Sequence, residues 1–169
     1  EPMPRRVAVD LGLIAEIDLP ERGSSVLLVD SIGGRVLEID CPVGAAECSQ
    51  PEVFAELPQF NGDIRQWDTS RVARMQEFFG STAFNRDISQ WDVARVTDMS
   101  RMFSQAEVFD QDLSKWDVLS VKTMDYMFAF AAAFRQKLCG AAWVKGRATK
   151  VDMFVGSRGS IPRTPCKIP

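Results

Sequence analysis

Acidic and amide side chains recur along this 169-residue chain at a fixed spacing. Asp63, Asp87 and Asp112 form one series, and Asp68, Asp92 and Asp117 a second. Asn61, Asn85 and Asp110 form a third. Stacked carboxylates offer the hard oxygen ligands that calcium takes, and close pairs can do the acid–base work of a glycosidase. Two features weigh against both uses. A catalytic pair is made once, whereas these residues return in every unit, and the glycine-rich loops of calcium-binding repeats are missing. The simpler expectation is that each Asp caps a turn through its own backbone. The chain has no histidine, which removes Ser-His-Asp hydrolysis, Cys-His proteolysis and every His-based metal site. No catalytic residue, cofactor or metal is therefore expected.

The four cysteines, Cys41, Cys48, Cys139 and Cys166, flank the middle of the chain. Three pairings are open, the simplest being Cys41–Cys48 with Cys139–Cys166. Free thiols and a metal site are the alternatives, although the spacing suits ligands poorly. Disulfides would place the protein in an oxidising compartment, an organelle lumen or the cell exterior. The chain opens Glu1-Pro2 without an initiator Met, which fits a targeting peptide already removed.

The element that must hold these residues is a repeat. FNGDIRQWDTSRVARMQEFFGSTA starts at Phe60, FNRDISQWDVARVTDMSRMFSQAEV at Phe84 and FDQDLSKWDVLSVKTMDYMFAFAAA at Phe109. A fourth unit starts at Phe134 and decays; its Trp143 sits two residues late. The leading phenylalanines are 24, 25 and 25 residues apart, and all four tryptophans, Trp67, Trp91, Trp116 and Trp143, are repeat positions. A fainter unit precedes the first: Ile39 lies 25 before Ile64, and Phe54 lies 25 before Phe79. Within a unit, D-I-x-x-W-D-V reads as a short strand. Val96, Met99, Met102 and Phe103 follow at the offsets of one helix face, as do Val72, Met75, Phe78, Phe79 and Val121, Met124, Met127, Phe128. Ser70 and Ser120 are the expected helix N-caps. One such unit cannot bury its own apolar face, but stacked units can. The expected core is Phe60, Ile64, Trp67, Met75 and Phe79; Phe84, Ile88, Trp91, Met99 and Phe103; Phe109, Leu113, Trp116, Met124 and Phe128; then Phe134 and Trp143. Read as a surface, the same aromatics could stack sugars, but their fixed spacing beside Met and Ile says core.

F-N-x-D-I-S-x-W-D-V-x-x-V-T-D-M-S-x-M-F resembles the 25-residue repeat of BspA-like surface proteins and mycoplasma lipoproteins, a divergent relative of the leucine-rich repeats. The resemblance covers roughly residues 54–138. It departs from the pattern at Thr69 and Phe78, and almost throughout the fourth unit. It implies a curved repeat stack used for protein–protein contact or adhesion, with no catalytic residue.

The expected architecture is an α/β repeat solenoid, a short strand plus a short helix per unit, leucine-rich-repeat-like. Residues 1–53 form an N-terminal β cap, with strands near 6–10, 13–19, 25–29 and 35–39 and a hairpin turn at Ser31-Ile32-Gly33-Gly34. Residues 54–155 form the solenoid, with full units near 60–83, 84–108 and 109–133 and a degenerate unit at 134–155. Residues 156–169 form an extended basic Pro/Gly tail.

Charge is uneven along this frame. Residues 1–57 carry 11 acidic and 4 basic side chains, and residues 139–169 carry 1 and 6, within an overall net charge of -3. The acidic balance argues against a nucleic-acid partner, and no apolar run is long enough for a transmembrane segment. Partner contacts are expected from Arg71, Arg74, Arg95 and Arg101 on the units and Arg158, Arg163 and Lys167 in the tail. The alternative is that the unit arginines pair with Asp98, Asp117 or Asp125 on a solvated face. The expected role is a non-catalytic protein–protein interaction module. It would be a small accessory subunit docked on a larger assembly, such as the lumenal face of an organellar membrane complex with the basic tail as a clamp. The alternative is a secreted or cell-surface adhesion module of the BspA-like type.

Overall fold

A computed structural model describes residues 58–166 apart from 63, 66–68 and 71, together with the backbones of five strands between residues 5 and 49. Cys41, the Cys48 side chain, Asp63, Trp67, Asp68, Arg71, Lys167 and the Ser31–Gly34 turn lie outside the described residues. Strands β1 (Arg5–Asp10), β2 (Ile14–Asp18), β3 (Val26–Val29) and β4 (Val36–Ile39) form one sheet in the order β2-β1-β3-β4. β1 runs antiparallel to β2 and parallel to β3, and β3 runs antiparallel to β4. These strands overlap the four apolar segments read as strands in the sequence.

A second ladder runs through the repeats. β5 (Cys48–Ser49) pairs in parallel with β6 (Val72–Arg74), placing Ser49 opposite Arg74. Parallel bridges then link Arg74 to Asp98, Asp98 to Thr123 and Thr123 to Thr149, with a further one from Lys137 to Ser160. The bridges from Arg74 to Thr149 join equivalent residues of neighbouring units, so the units lie in register, one against the next. The ladder reaches Cys48–Ser49, upstream of the boundary expected at residue 53.

Two expectations about the unit interior are corrected. The V-x-x-M-x-x-M-F segments are not helical, and β6 falls inside the first of them. They are chains of turns in which alternate N–H groups go to different places. Met99, Arg101, Phe103 and Gln105 donate to the carbonyls of Thr123, Asp125, Met127 and Ala129 in the next unit, at 2.8–3.0 Å. Met102, Ser104 and Ala106 donate three residues back within their own unit. A helix would send all of these N–H groups four residues back; here the neighbouring unit takes half of them. Nor is the I-x-x-W piece a strand: Trp91 and Trp116 close turns onto the carbonyls of Ile88 and Leu113, both at 3.1 Å. With no helix there, Ser70 and Ser120 have none to cap.

This backbone carries an unusual conformational pattern. Glu77, Arg101, Tyr126 and Asp152 have φ between 47 and 57°, and so do Ser81, Gln105 and Phe130 at 57–59°. These are two columns of left-handed residues, one of each per unit, and the second column ends at Gly156. Left-handed geometry costs an ordinary side chain roughly 1–2 kcal/mol. In the first three units the cross-unit hydrogen bond donated by the same residue offsets that cost.

The interior is two ladders of phenylalanine. Phe79, Phe103, Phe128 and Phe154 stack with ring centroids 5.4, 5.4 and 5.6 Å apart. Phe60, Phe84, Phe109 and Phe134 form the other, at 5.9, 6.3 and 6.0 Å. The ladders interleave at 4.2, 4.0 and 3.9 Å through Phe79–Phe84, Phe103–Phe109 and Phe128–Phe134. Every expected core position within the described residues is buried: Phe60, Ile64, Met75, Phe79, Phe84, Ile88, Trp91, Met99, Phe103, Phe109, Leu113, Trp116, Met124, Phe128, Phe134 and Trp143. Each buried indole also ties its unit to the one before. Trp91, Trp116 and Trp143 donate Nε1–H to the carbonyls of Ile64, Ile88 and Leu113 at 3.0, 3.0 and 2.8 Å. The late Trp143 reaches its carbonyl because the short helix α1 (Ala141–Lys145) takes up the extra residues.

The segment after Gly156 lies on the chain's own fourth unit. Arg158 and Ser160 donate to the carbonyls of Phe134 and Gln136, and Leu138 donates to Ser160. Cys139 and Cys166 form a disulfide with their Cα atoms 5.2 Å apart.

Candidate functional site

The two left-handed columns stand as parallel walls on the surface. Glu77, Arg101 and Tyr126 line one side, and Ser81, Gln105 and Phe130 the other. The residues between them are small (Gly80, Ser104 and Ala129), so the space stays open as a groove of about 390 Å³. The groove is thus a product of the repeat: identical backbone in each unit, different side chain in each wall position. Arg101 donates to Glu77 Oε1 at 3.2 Å, and its guanidinium lies 5.7 Å from the centroid of the Tyr126 ring. One wall therefore runs carboxylate, guanidinium, phenol. The other runs hydroxyl, amide, phenyl. Phe130 is 57% exposed. It lies across Gly156, where an added Cβ would come within 2.6 Å of its ring.

The repeated carboxylates do other work. Asp87, Asp92, Asp112 and Asp117 each accept the N–H two residues on, from Ser89, Ala94, Ser114 and Leu119, at 2.9–3.1 Å. The bond from the Ser89 backbone is the largest influence holding the Asp87 carboxyl below its ordinary pKa. Asn61, Asn85 and Asp110 form a ladder in which each Oδ1 accepts the N–H of Asn85, Asp110 and Arg135 in the following unit, at 2.9, 2.9 and 3.0 Å. Asp125 is lowered by a hydrogen bond from the Thr149 hydroxyl first, and then by the Val151 N–H at 2.9 Å. These groups are spent on turns and on unit-to-unit bonds. Among the described residues no three Cys, Asp or Glu side chains converge as ligands.

The arginines expected to meet a partner separate into several places. Arg101 is in the groove wall. Arg74 lies on the bridge column and faces Asp98 at 3.7 Å. Arg95, Arg158 and Arg163 are exposed away from the groove. Arg71 and Lys167 lie outside the described residues. Sequence reading missed Tyr126, the chain's one tyrosine, and Phe130. A signal was present: Phe130 is an aromatic two residues past the core position Phe128, where the earlier units carry Ser81 and Gln105.

Residues 48–160 match a family described as Mycoplasma protein of unknown function, DUF285. This chain is a DUF285 protein. The match runs from Cys48, where β5 meets β6, to Ser160, the last bridged residue, so the DUF285 region and the ladder of paired units have the same limits. No curated protein and no solved structure matches the chain. Among the described residues, no helix is long and apolar enough to cross a membrane.

Proposed function

We propose that this DUF285 protein is a non-catalytic protein-binding module, a capped repeat solenoid of the BspA-like type, whose groove reads a protein partner. The observation that carries the proposal is the groove itself. Its backbone repeats from unit to unit while its wall side chains differ, and an exposed phenyl sits beside a tyrosine and an arginine. Exposed aromatics and arginine are the residues that anchor protein interfaces. The carboxylates that could have supplied acid–base chemistry are occupied by turns, which also favours binding over catalysis. The Cys139–Cys166 disulfide supports an oxidising compartment. Together with the likeness to BspA-like surface proteins, it supports a secreted or cell-surface setting over an accessory subunit of an organellar complex.

The test is native mass in a gentle extract of cells making either the wild type or a Tyr126→Ala/Phe130→Ser variant. The wild type should co-migrate with a larger particle, and the variant should run as a free monomer. Identical migration of the two would refute the groove as the contact.

A further inference from the structure

The repeat ends in an edge of unused donors. In three successive units the N–H groups at the same four positions donate to the next unit: Met75, Glu77, Phe79 and Ser81; Met99, Arg101, Phe103 and Gln105; Met124, Tyr126, Phe128 and Phe130. The equivalents in the last unit are Lys150, Asp152, Phe154 and Gly156. No hydrogen bond engages their N–H groups among the described residues. Among the described residues, the segment from Arg158 onward gives its backbone hydrogen bonds to residues 134–139 and none to these N–H groups, although Gly159 packs against the Phe154 ring. The carbonyls of Lys150, Asp152 and Phe154 are turned away, accepting from Met153, Val155 and Ser157. The edge therefore presents donors without acceptors. An ordinary strand edge alternates the two and would match only half of it. Backbone that alternates right- and left-handed residues in this way concentrates N–H groups into a cradle for negative charge.

The sequence segment that carries this edge is basic, although the Asp125 carboxylate also reaches it, accepting the Val151 N–H at 2.9 Å. Residues 139–169 hold six basic side chains against one acidic, Asp152. Lys145, Arg147, Arg158 and Arg163 are exposed, while Lys150 folds back onto the carbonyls of Gly146 and Ala148 at 3.2 and 3.0 Å. Val151 and Val155, 53% and 40% exposed, give the edge an aliphatic margin. We propose that this edge, which meets the groove only where Phe130 lies across Gly156, binds an extended acidic segment of a partner protein, whose carboxylate and carbonyl oxygens take the four free N–H groups. Charge complementarity selects an acidic segment, and the absence of acceptors selects a ligand rich in acceptors over a neutral strand.

The test is an amide-resolved NMR titration of the full chain with a blocked ten-residue peptide carrying glutamate at alternate positions. The amides of Lys150, Asp152, Phe154 and Gly156 should move together. The same peptide with glutamine should bind at least about tenfold more weakly, and added salt should weaken the glutamate peptide. Lys150→Pro removes one free N–H, along with the Nζ bonds to the Gly146 and Ala148 carbonyls that Lys150→Gln would remove as its control, and relative to that control should weaken binding roughly tenfold. Arg158→Glu, at an exposed site, should weaken it comparably if the proline variant does not fold, whereas Asp152→Asn should tighten it. Shifts confined to Arg101, Gln105 and Phe130, or no shifts at all, would overturn the proposal. So would concentration-dependent shifts of the edge amides without peptide, which would make a second copy of the chain the occupant.

Discussion

Replacing Trp116 by phenylalanine tests how the units are tied together. The indole is 1% exposed, and its Nε1–H donates to the Ile88 carbonyl of the preceding unit at 3.0 Å. Phenylalanine keeps a six-membered ring but loses that donor and leaves a void. The Ile88 carbonyl retains the Trp91 N–H at 3.1 Å, so the acceptor is not orphaned. The hydrogen-bond loss is therefore about 1 kcal/mol rather than a full burial penalty. A void on the order of 40 Å³ adds about 1 kcal/mol, and the lost apolar contact adds up to about another. The total is about 2–3 kcal/mol. Urea unfolding followed by far-ultraviolet circular dichroism should show the midpoint falling by roughly 1 M with its slope unchanged. Trp91 and Trp143 make the same bond to Ile64 and Leu113, so Trp→Phe there should cost a similar amount. A loss below about 0.5 kcal/mol at all three sites would refute the claim that these bonds join the units.

Other substitutions probe the backbone, the disulfide and the charges. Gln105 is exposed at φ 59°, so Gln105→Gly should stabilise the fold by about 0.5–1 kcal/mol in the same urea assay, because relief of left-handed strain exceeds the added chain entropy. Cys166→Ser opens a link of sequence separation 27; it should cost about 3 kcal/mol in calorimetry, and equal stability with and without the link would contradict its role. Asp125 has its folded pKa depressed below 3.8 by Thr149 and Val151. Its contribution is thus present above pH 3.8 and lost as pH falls through the lower folded value, and Asp125→Asn should flatten the acid limb of a stability–pH curve.

The sequence makes some of this architecture legible and hides the rest for physical reasons. Phenylalanines recurring at 24 and 25 residues have to meet, because one unit has nothing else to bury them against. The path between them is different. Val96, Met99, Met102 and Phe103 look helical because turns that bond three residues back also return side chains to one side every third or fourth position. What distinguishes the two backbones is where the N–H groups go, and Thr123, Asp125, Met127 and Ala129 are a full unit away. The left-handed columns leave little local trace: Arg101, Gln105, Tyr126 and Phe130 are not the Gly, Asn or Asp that such φ values favour, and only Asp152 and Gly156 signal the position. The groove is hidden with them, since its walls are those columns. The turn-capping aspartates are local, so Asp87–Ser89 and Asp112–Ser114 could be anticipated from spacing alone.

Whether the groove of this DUF285 protein receives a protein partner can be read by placing a photo-crosslinking residue at Gln105 in cells that make the protein. One discrete adduct should form, and it should be lost when Phe130→Ser is added while circular dichroism shows the fold intact. No adduct, or an adduct indifferent to Phe130, would contradict a partner seated in the groove.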